Sequence, residues 1–198
     1  MQTKETMMSV KPFAITLDVG TSLANRTGSW RTLKPVYVDR LPPCNTKCPA
    51  GEQCQAWLFH AQSGNYENAW KQIIEDNPFP AVMGRVCYHT CQGACNRNGI
   101  DEPVGINAVE RFLGDYALEK GWQLPVPAAD TGKRILIVGA GPAGLSAAYQ
   151  LRRLGHAVHV VESAEAAGGM MRYGIPKYRL PREVLDQEIA RIAALGVE

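Results

Sequence analysis

Long apolar runs are missing from this sequence. Within its 198 residues no segment approaches the roughly 18 apolar residues that a membrane-spanning helix needs. Met1 to Ile15 carries scattered Lys and Thr where a signal peptide would be continuously apolar. The reading is therefore a cytoplasmic protein with no membrane partner. Blocks of one charge are missing too: 21 Lys plus Arg face 19 Asp plus Glu, a net charge of +2. Without a basic run there is no footprint for a phosphate backbone, so nucleic acid is not an expected partner. No constellation of acid, base and nucleophile stands out, which places any substrate chemistry elsewhere and leaves no catalytic residue to name. Solenoid repeats and low-complexity tracts are absent. So is the C-x2-C knuckle that marks most zinc sites. What remains is a chain of 45% hydrophobic residues, enough to build a core, and six cysteines. In a cytoplasmic thiol pool such cysteines are more often metal ligands or redox groups than disulfides.

Four segments are expected. Residues 1–40 read as a leader or partner-docking segment with little periodicity, in which Thr27-Gly28-Ser29-Trp30 suggests a turn and an aromatic anchor. Residues 41–122 read as a cysteine-rich helical domain. Within it Gln53 to Ser63 and Tyr66 to Glu75 form a helical hairpin split by Gly64-Asn65, and Asn77-Pro78 ends the second arm. A third helix runs from about Ile106 to Lys120, where Ile106, Val109, Phe112, Leu113, Tyr116 and Ala117 recur at helical spacing. Residues 123–133, with two prolines and Asp130-Thr131-Gly132, read as a linker. Residues 134–198 open an α/β domain: strand Arg134 to Val138, helix Ala143 to Leu154 and strand Ala157 to Val161 make one βαβ unit. A last helix, about Pro181 to Leu195, precedes Val197-Glu198, which looks like the start of a further strand. Two parallel strands bury too little to be stable alone, so the sheet is expected to be completed by further chain or by a partner.

Gly139-Ala140-Gly141-Pro142-Ala143-Gly144 is a G-x-G-x-x-G that follows a strand and opens a helix. The first glycine permits the turn, the second admits a pyrophosphate against the backbone, and the third lets the helix pack on the strand. The helix N-terminus, around Pro142 and Ala143, offers free N–H groups to phosphate. Glu162, followed by Ser163 at the end of the second strand, is placed to accept both ribose hydroxyls and would repel a 2′-phosphate, so NADP is not expected at this loop. A second glycine element, Gly168-Gly169-Met170-Met171-Arg172-Tyr173-Gly174-Ile175-Pro176, allows another close backbone approach to a long dinucleotide. It tips the reading toward FAD at Gly139, Gly141, Gly144, Glu162 and Gly169.

The cysteines fall in two groups, Cys44-x3-Cys48-x5-Cys54 and Cys87-x3-Cys91-x3-Cys95. Thiolates at such spacing can converge on one soft-metal centre, with the hairpin folding the groups together. Cys87, Cys91 and Cys95, four apart, read as one helical face capping a cubane. Cys54, at the start of a helix, reads as a small buried hydrophobe. His60, His89, His156 and His159 read as structural, with His89 near the ligands but not one of them. Glu110 falls within the apolar pattern of the third helix, where a metal ion or Arg111 would relieve a buried carboxylate, or else it lies solvated on the rim.

Taken together, Leu41-Pro42-Pro43-Cys44, Cys48-Pro49-Ala50-Gly51, Asp76-Asn77-Pro78, Gly84-Arg85-Val86-Cys87, Cys91-x3-Cys95-Asn96, Val109-Glu110-Arg111-Phe112, the glycine loop and Gly174-Ile175-Pro176-x3-Leu180-Pro181 resemble a known family over about residues 41–198. It is that of the glutamate synthase small (β) subunit, with relatives in the flavin subunit of NADH-dependent ferredoxin:NADP oxidoreductase and the N-terminal part of dihydropyrimidine dehydrogenase. The resemblance implies an α-helical iron–sulfur domain followed by an incomplete Rossmann-like FAD domain, with the NAD(P) domain in sequence not present here. It also implies a [4Fe-4S] cluster on Cys48, Cys87 and Cys91, with Glu110 at the position of a Glu or Gln fourth ligand. Cys44 and Cys95 match ligands of a second cluster. The family's two further cysteines upstream of Cys44 have no counterpart in Pro35 to Leu41, so Cys44 and Cys95 are remnants, recruit Cys54 or take ligands from a partner.

Gly20 to Thr32, with Lys34-Pro35-Val36, is similar to the segment preceding the cysteines in the ferredoxin-like δ subunit of 2-oxoacid:ferredoxin oxidoreductases. That likeness implies ferredoxin-like and thiamine diphosphate-dependent 2-oxoacid-oxidising partner subunits. The expectation is thus an electron-transfer subunit joining NAD(P)(H), FAD and [4Fe-4S] chemistry. The rival readings are a glutamate synthase small subunit and a non-redox, zinc- or dinucleotide-binding assembly module.

Overall fold

The computed structural model describes residues 41–198, one compact unit; the readings on residues 1–40, including the δ-subunit-like segment, lie outside the described residues. The chain begins with α1 (Pro43–Lys47), α2 (Cys54–Gln62) and α3 (Tyr66–Ile73). α2 and α3 are the expected hairpin, turning at Gly64, whose φ of 74° only glycine adopts without strain. Next come α4 (Pro80–Val86), the single turn α5 (Thr90–Gly93), a 3₁₀ turn (Asn96–Gly99) and α6 (Ile106–Glu119). The βαβ unit has strands with the expected bounds and a helix one residue earlier than expected: β1 (Arg134–Val138), α7 (Pro142–Arg153) and β2 (Ala157–Val161), followed by α8 (Met170–Tyr173) and α9 (Arg182–Ala193).

β1 and β2 pair in parallel, Arg134 opposite Ala157 through Val138 opposite Val161. Val197 forms a further parallel bridge to Val158, so the chain enters a third strand position beside β2, as expected. Alternation along β1 leaves Leu136 and Val138 exposed while Ile137 packs on the core.

α4 and α6 cross at close range, and two glycines make the approach possible. A Cβ on Gly84 would fall inside the backbone of Arg111, and one on Gly114 inside that of Ala81 and Pro80. One continuous core joins the helical part to the βαβ part. Trp70, Phe79 and Val82 share it with Leu145, Tyr149, Leu180, Leu185 and Ile192, and Leu124 of the 123–133 stretch is buried in it. Polar contacts cross the same seam. The Tyr149 hydroxyl donates to the Ile74 carbonyl at 2.7 Å, and Arg153 donates to the Glu75 carbonyl at 2.7 Å. Glu188 of α9, only 1% exposed, accepts the backbone N–H groups of Ala81 and Val82 at 3.0 Å each, supplying partners for the first turn of α4 that its own helix cannot. Beside it, Arg191 lies 5.4 Å over the Trp70 ring and donates to the Ala117 carbonyl.

Candidate metal centre and dinucleotide loop

All six cysteines are free thiols. Three short elements carry most of them, and each is tied to its neighbour by a side-chain bond. The Asn45 amide donates to Gln53 at 3.0 Å and accepts the Gln55 N–H at 3.1 Å, fixing α1 against the start of α2. The Thr90 hydroxyl donates to the Lys47 carbonyl at 2.9 Å, fixing α5 against the end of α1. Gln92 accepts the Asn107 N–H at 2.9 Å, holding α5 on α6.

The result is a cavity of about 400 Å³ into which Cys48, Cys54, Cys87 and Cys91 face together with Glu52 and Glu110. Cys44 and Cys95 are not on its wall; they are half-buried outside it. The second cysteine group does not share one helical face as expected. Cys87 caps the C-terminus of α4, Cys91 lies in α5, and Cys95 precedes the 3₁₀ turn. The break comes at His89, whose φ of 55° reverses the chain and brings its backbone N–H to the Cys87 sulfur at 3.4 Å.

Glu110 is buried, which settles the rim alternative, but its partner is neither Arg111 nor solvent. Asn77 donates to Glu110 at 2.9 Å and to Glu52 at 2.9 Å, so one amide holds two buried carboxylates. Arg111 turns instead to Asp115, at 3.7 Å. Burial pushes the Glu52 carboxyl up to about 7, with the Cys48 charge adding to it. Burial, then the Glu52 charge, raises Glu110 well above the usual carboxylate range. The Cys54 thiol lies in side-chain hydrogen-bonding reach of both Cys48 and Cys91. That contact brings Cys48 down to about 6 and Cys91 down to about 7, while Cys54 itself is raised. The ligand atoms of Cys48, Glu52 and Cys54 lie within 4.8 Å of one another. Soft cysteine sulfurs converging with a carboxylate in one cavity form a donor set that fits an iron–sulfur cluster. Sequence reasoning missed Glu52 and Asn77, and it read Cys54 as a core filler.

The dinucleotide loop borders the same cavity, whose wall includes Pro142 and Ser146 from the first turns of α7. Gly139 has φ 101°, and a Cβ on Gly144 would strike the Gly139 carbonyl. The second glycine element folds against the first. The Gly168 N–H donates to the Ala140 carbonyl at 2.7 Å, and a Cβ on Gly169 would stand 2.8 Å from the Gly141 Cα. Gly174 and Ile175 close the single turn of α8 by donating to the Met170 carbonyl. Glu162 accepts the N–H of Ala140 at 2.7 Å and those of Ser163 and Ala164 at 2.7 and 2.9 Å, bonds that hold its carboxyl below the ordinary range. A glycine-walled cradle beside a helix N-terminus, with a carboxylate at the second strand end, fits the pyrophosphate and ribose of a dinucleotide.

Fold and site together define a helical iron–sulfur domain followed by a Rossmann-like dinucleotide-binding region. Residues 38–122 match the family described as dihydropyrimidine dehydrogenase domain II, 4Fe-4S cluster, and residues 137–188 match the NAD(P)-binding Rossmann-like domain. The chain thus joins, in this order, a region similar to the one family and a region similar to the other. It is 39% identical to the NADP(+)-dependent formate dehydrogenase subunit beta of Moorella thermoacetica, over 78% of this chain and 25% of that protein. It is 41% identical to the NAD-dependent dihydropyrimidine dehydrogenase subunit PreT homolog of Salmonella typhi, over 78% of this chain and 38% of the relative. With the glutamate synthase [NADPH] small chain of Mycobacterium tuberculosis the identity is 36%, over 80% of this chain and 33% of the relative. The chain thus spans well under half the length of these curated relatives. No helix among the described residues is long and apolar enough to cross a membrane.

Proposed function

We propose that this chain is the cluster- and FAD-binding portion of an electron-transfer subunit that passes electrons between NAD(P)(H), FAD and a [4Fe-4S] cluster within a larger oxidoreductase complex. One observation carries the reading: the thiol-lined cavity and the dinucleotide loop meet, because Pro142 and Ser146 of α7 share a wall with Cys48, Cys54, Cys87 and Cys91. Cys48, Cys87, Cys91 and Glu110 would hold the cluster. Gly139, Gly141, Gly144, Glu162, Ser163, Gly168, Gly169 and Met170 would hold FAD, with the packing of Gly169 on Gly141 favouring a long dinucleotide. When bound, the flavin supplies the exchange between two-electron hydride chemistry and one-electron cluster chemistry. The chain's own part is to keep the two sites adjacent.

The partner we infer is a thiamine-dependent 2-oxoacid-oxidising complex with a ferredoxin-like subunit. The support is the likeness of Gly20 to Val36 to the δ-subunit segment. A glutamine-dependent glutamate-forming partner is the second reading, favoured by the glutamate synthase small chain among the relatives. Anaerobic purification of the intact complex, with iron, sulfide and flavin counted per subunit and the co-purifying subunits identified, tests all of this. Flavin absorption near 450 nm with a broad shoulder that bleaches on reduction is expected; a colourless, zinc-containing protein refutes it.

A further inference from the structure

We propose that Arg182 is a positioning residue of the dinucleotide site: its guanidinium clasps the backbone of the second glycine element and so holds Gly168 and Gly169 against the 139–144 loop. The inference rests on the FAD reading above and adds to it a residue that acts through the chain's own backbone. The second glycine element is short of internal partners. α8 has four residues, and its Met170 carbonyl takes both of the N–H groups that close it, those of Gly174 and Ile175. No backbone N–H among the described residues reaches the carbonyls of Met171, Arg172, Ile175 or Leu180. A single turn ends on such bare carbonyls and is too short to hold its shape alone. Arg182 supplies the donors. Its Nη1 donates to the Leu180 carbonyl at 3.0 Å and to that of Met171 at 3.1 Å, while its Nη2 donates to Ile175 at 2.7 Å and to Arg172. One planar fork thus serves four carbonyls.

The grip comes from a fixed support. Arg182 is the first residue of α9, a helix anchored in the core by Leu185 and Ile192 and bonded to α4 through Glu188. A second bond to α9 secures the front of the element, where Arg172 donates from Nε to the Ala167 carbonyl at 2.6 Å and pairs with Asp186. What is gripped lies directly on the first loop. The Gly168 N–H donates to the Ala140 carbonyl at 2.7 Å, and Gly169 stands so close to Gly141 that a Cβ would reach within 2.8 Å of its Cα. Releasing α8 therefore loosens one wall of the cradle that fits the pyrophosphate. A lysine at this position keeps the charge but carries its donors on one atom, so it cannot span carbonyls from residue 171 to residue 180. That difference separates a backbone clasp from simple attraction between a cation and a phosphate.

The test uses the full-length protein, purified anaerobically, as wild type, Arg182→Lys and Arg182→Gln. Iron and flavin are counted per chain, FAD is titrated into protein stripped of its flavin, and amide hydrogen exchange is read peptide by peptide with and without FAD. Expected in both variants are full iron, an FAD dissociation constant raised at least about tenfold, and faster exchange at residues 168–175 with α2 and α6 unchanged. In wild type without FAD the same amides should already be protected, because the clasp is made by the chain alone; rapid exchange there overturns the proposal without recourse to a variant. Wild-type affinity in Arg182→Lys would reduce the residue to a charge and overturn it. Iron lost together with flavin, and exchange quickened through α2 and α6, would make Arg182 a general support of the fold and overturn it equally. Wild type that binds no FAD is a separate result, which sinks the FAD reading and this inference with it.

Discussion

Glu188 ties α9 to the first turn of α4, and its replacement by glutamine gives a prediction whose sign and size follow from the structure. Burial pushes its carboxyl up to about 8, against the downward pull of the Ala81 and Val82 N–H groups and of Arg191. In the unfolded chain the same proton leaves near 4.5. Below the lower value both states hold the proton, and the group adds no pH dependence. Between the two values only the native state holds it, so the native state binds more protons and stability falls as pH rises. Above about 8 the fall is complete. One proton is worth about 1.4 kcal/mol per pH unit, so across this window the loss is on the order of 5 kcal/mol at most. Glu188→Gln keeps a carbonyl oxygen for one of the two N–H donors and cannot titrate. Urea unfolding of wild type and variant at pH 5, 6, 7 and 8, read by fluorescence of the buried Trp57 and Trp70, measures the difference at each pH and cancels other titrating groups such as Glu52. Wild type should be the more stable at pH 5, and its advantage should shrink or reverse by pH 8. A difference that stays constant across the range refutes the assignment of a buried, proton-holding Glu188.

Other changes bear on the remaining contacts. Gly114→Ala, which drives a methyl into the Ala81 and Pro80 backbone, should cost about 1–3 kcal/mol or more of stability in the same assay, and Gly121→Ala, at a glycine with open space but φ 65°, should cost less. Asn77→Leu removes the one amide shared by Glu52 and Glu110; leaving two buried carboxylates without it should cost about 1–3 kcal/mol and lower the iron retained per chain. Gly169→Ala, both overcrowded against Gly141 and strained at φ 50°, should strip flavin while iron content holds; iron lost alongside flavin would show that the two sites do not load separately.

The fold was legible wherever side-chain periodicity ran for two turns or more. α2, α3, α6, α7 and α9 were found within a few residues because each buries a repeating apolar face against the core. α4, α5 and α8 were not, since elements of seven residues or fewer carry too short a pattern. α4 also contains Gly84, which reads as a breaker until Arg111 is seen across the helix crossing. The cysteines announced soft-metal chemistry by type and spacing, but their division did not show. Cys54 stands in the cavity while Cys44 and Cys95 stand outside it, and the second group is divided where His89 reverses the chain, a left-handed conformation no local rule assigns to a histidine. Asn77 was visible only as a helix stop. Its use as a clamp arises from contacts 25 and 33 residues away, which no local pattern encodes. The glycine loop was the opposite case, because its turn and its close helix packing are set within a few residues of the strand end, as the Gly144 approach to the Gly139 carbonyl shows.

The same division explains why α4 matters more than its seven residues suggest. Its N-terminus is satisfied by Glu188 from the last helix of the dinucleotide-binding region, its middle is pressed on α6 through Gly84, and its C-cap is Cys87. The helix is too short to be stable through its own hydrogen bonds, so its position is set by what grips its two ends. That arrangement requires the helical part and the βαβ part to be built as one core. The buried Leu124 between them, in a stretch whose composition reads as a linker, is the residue that shows they are.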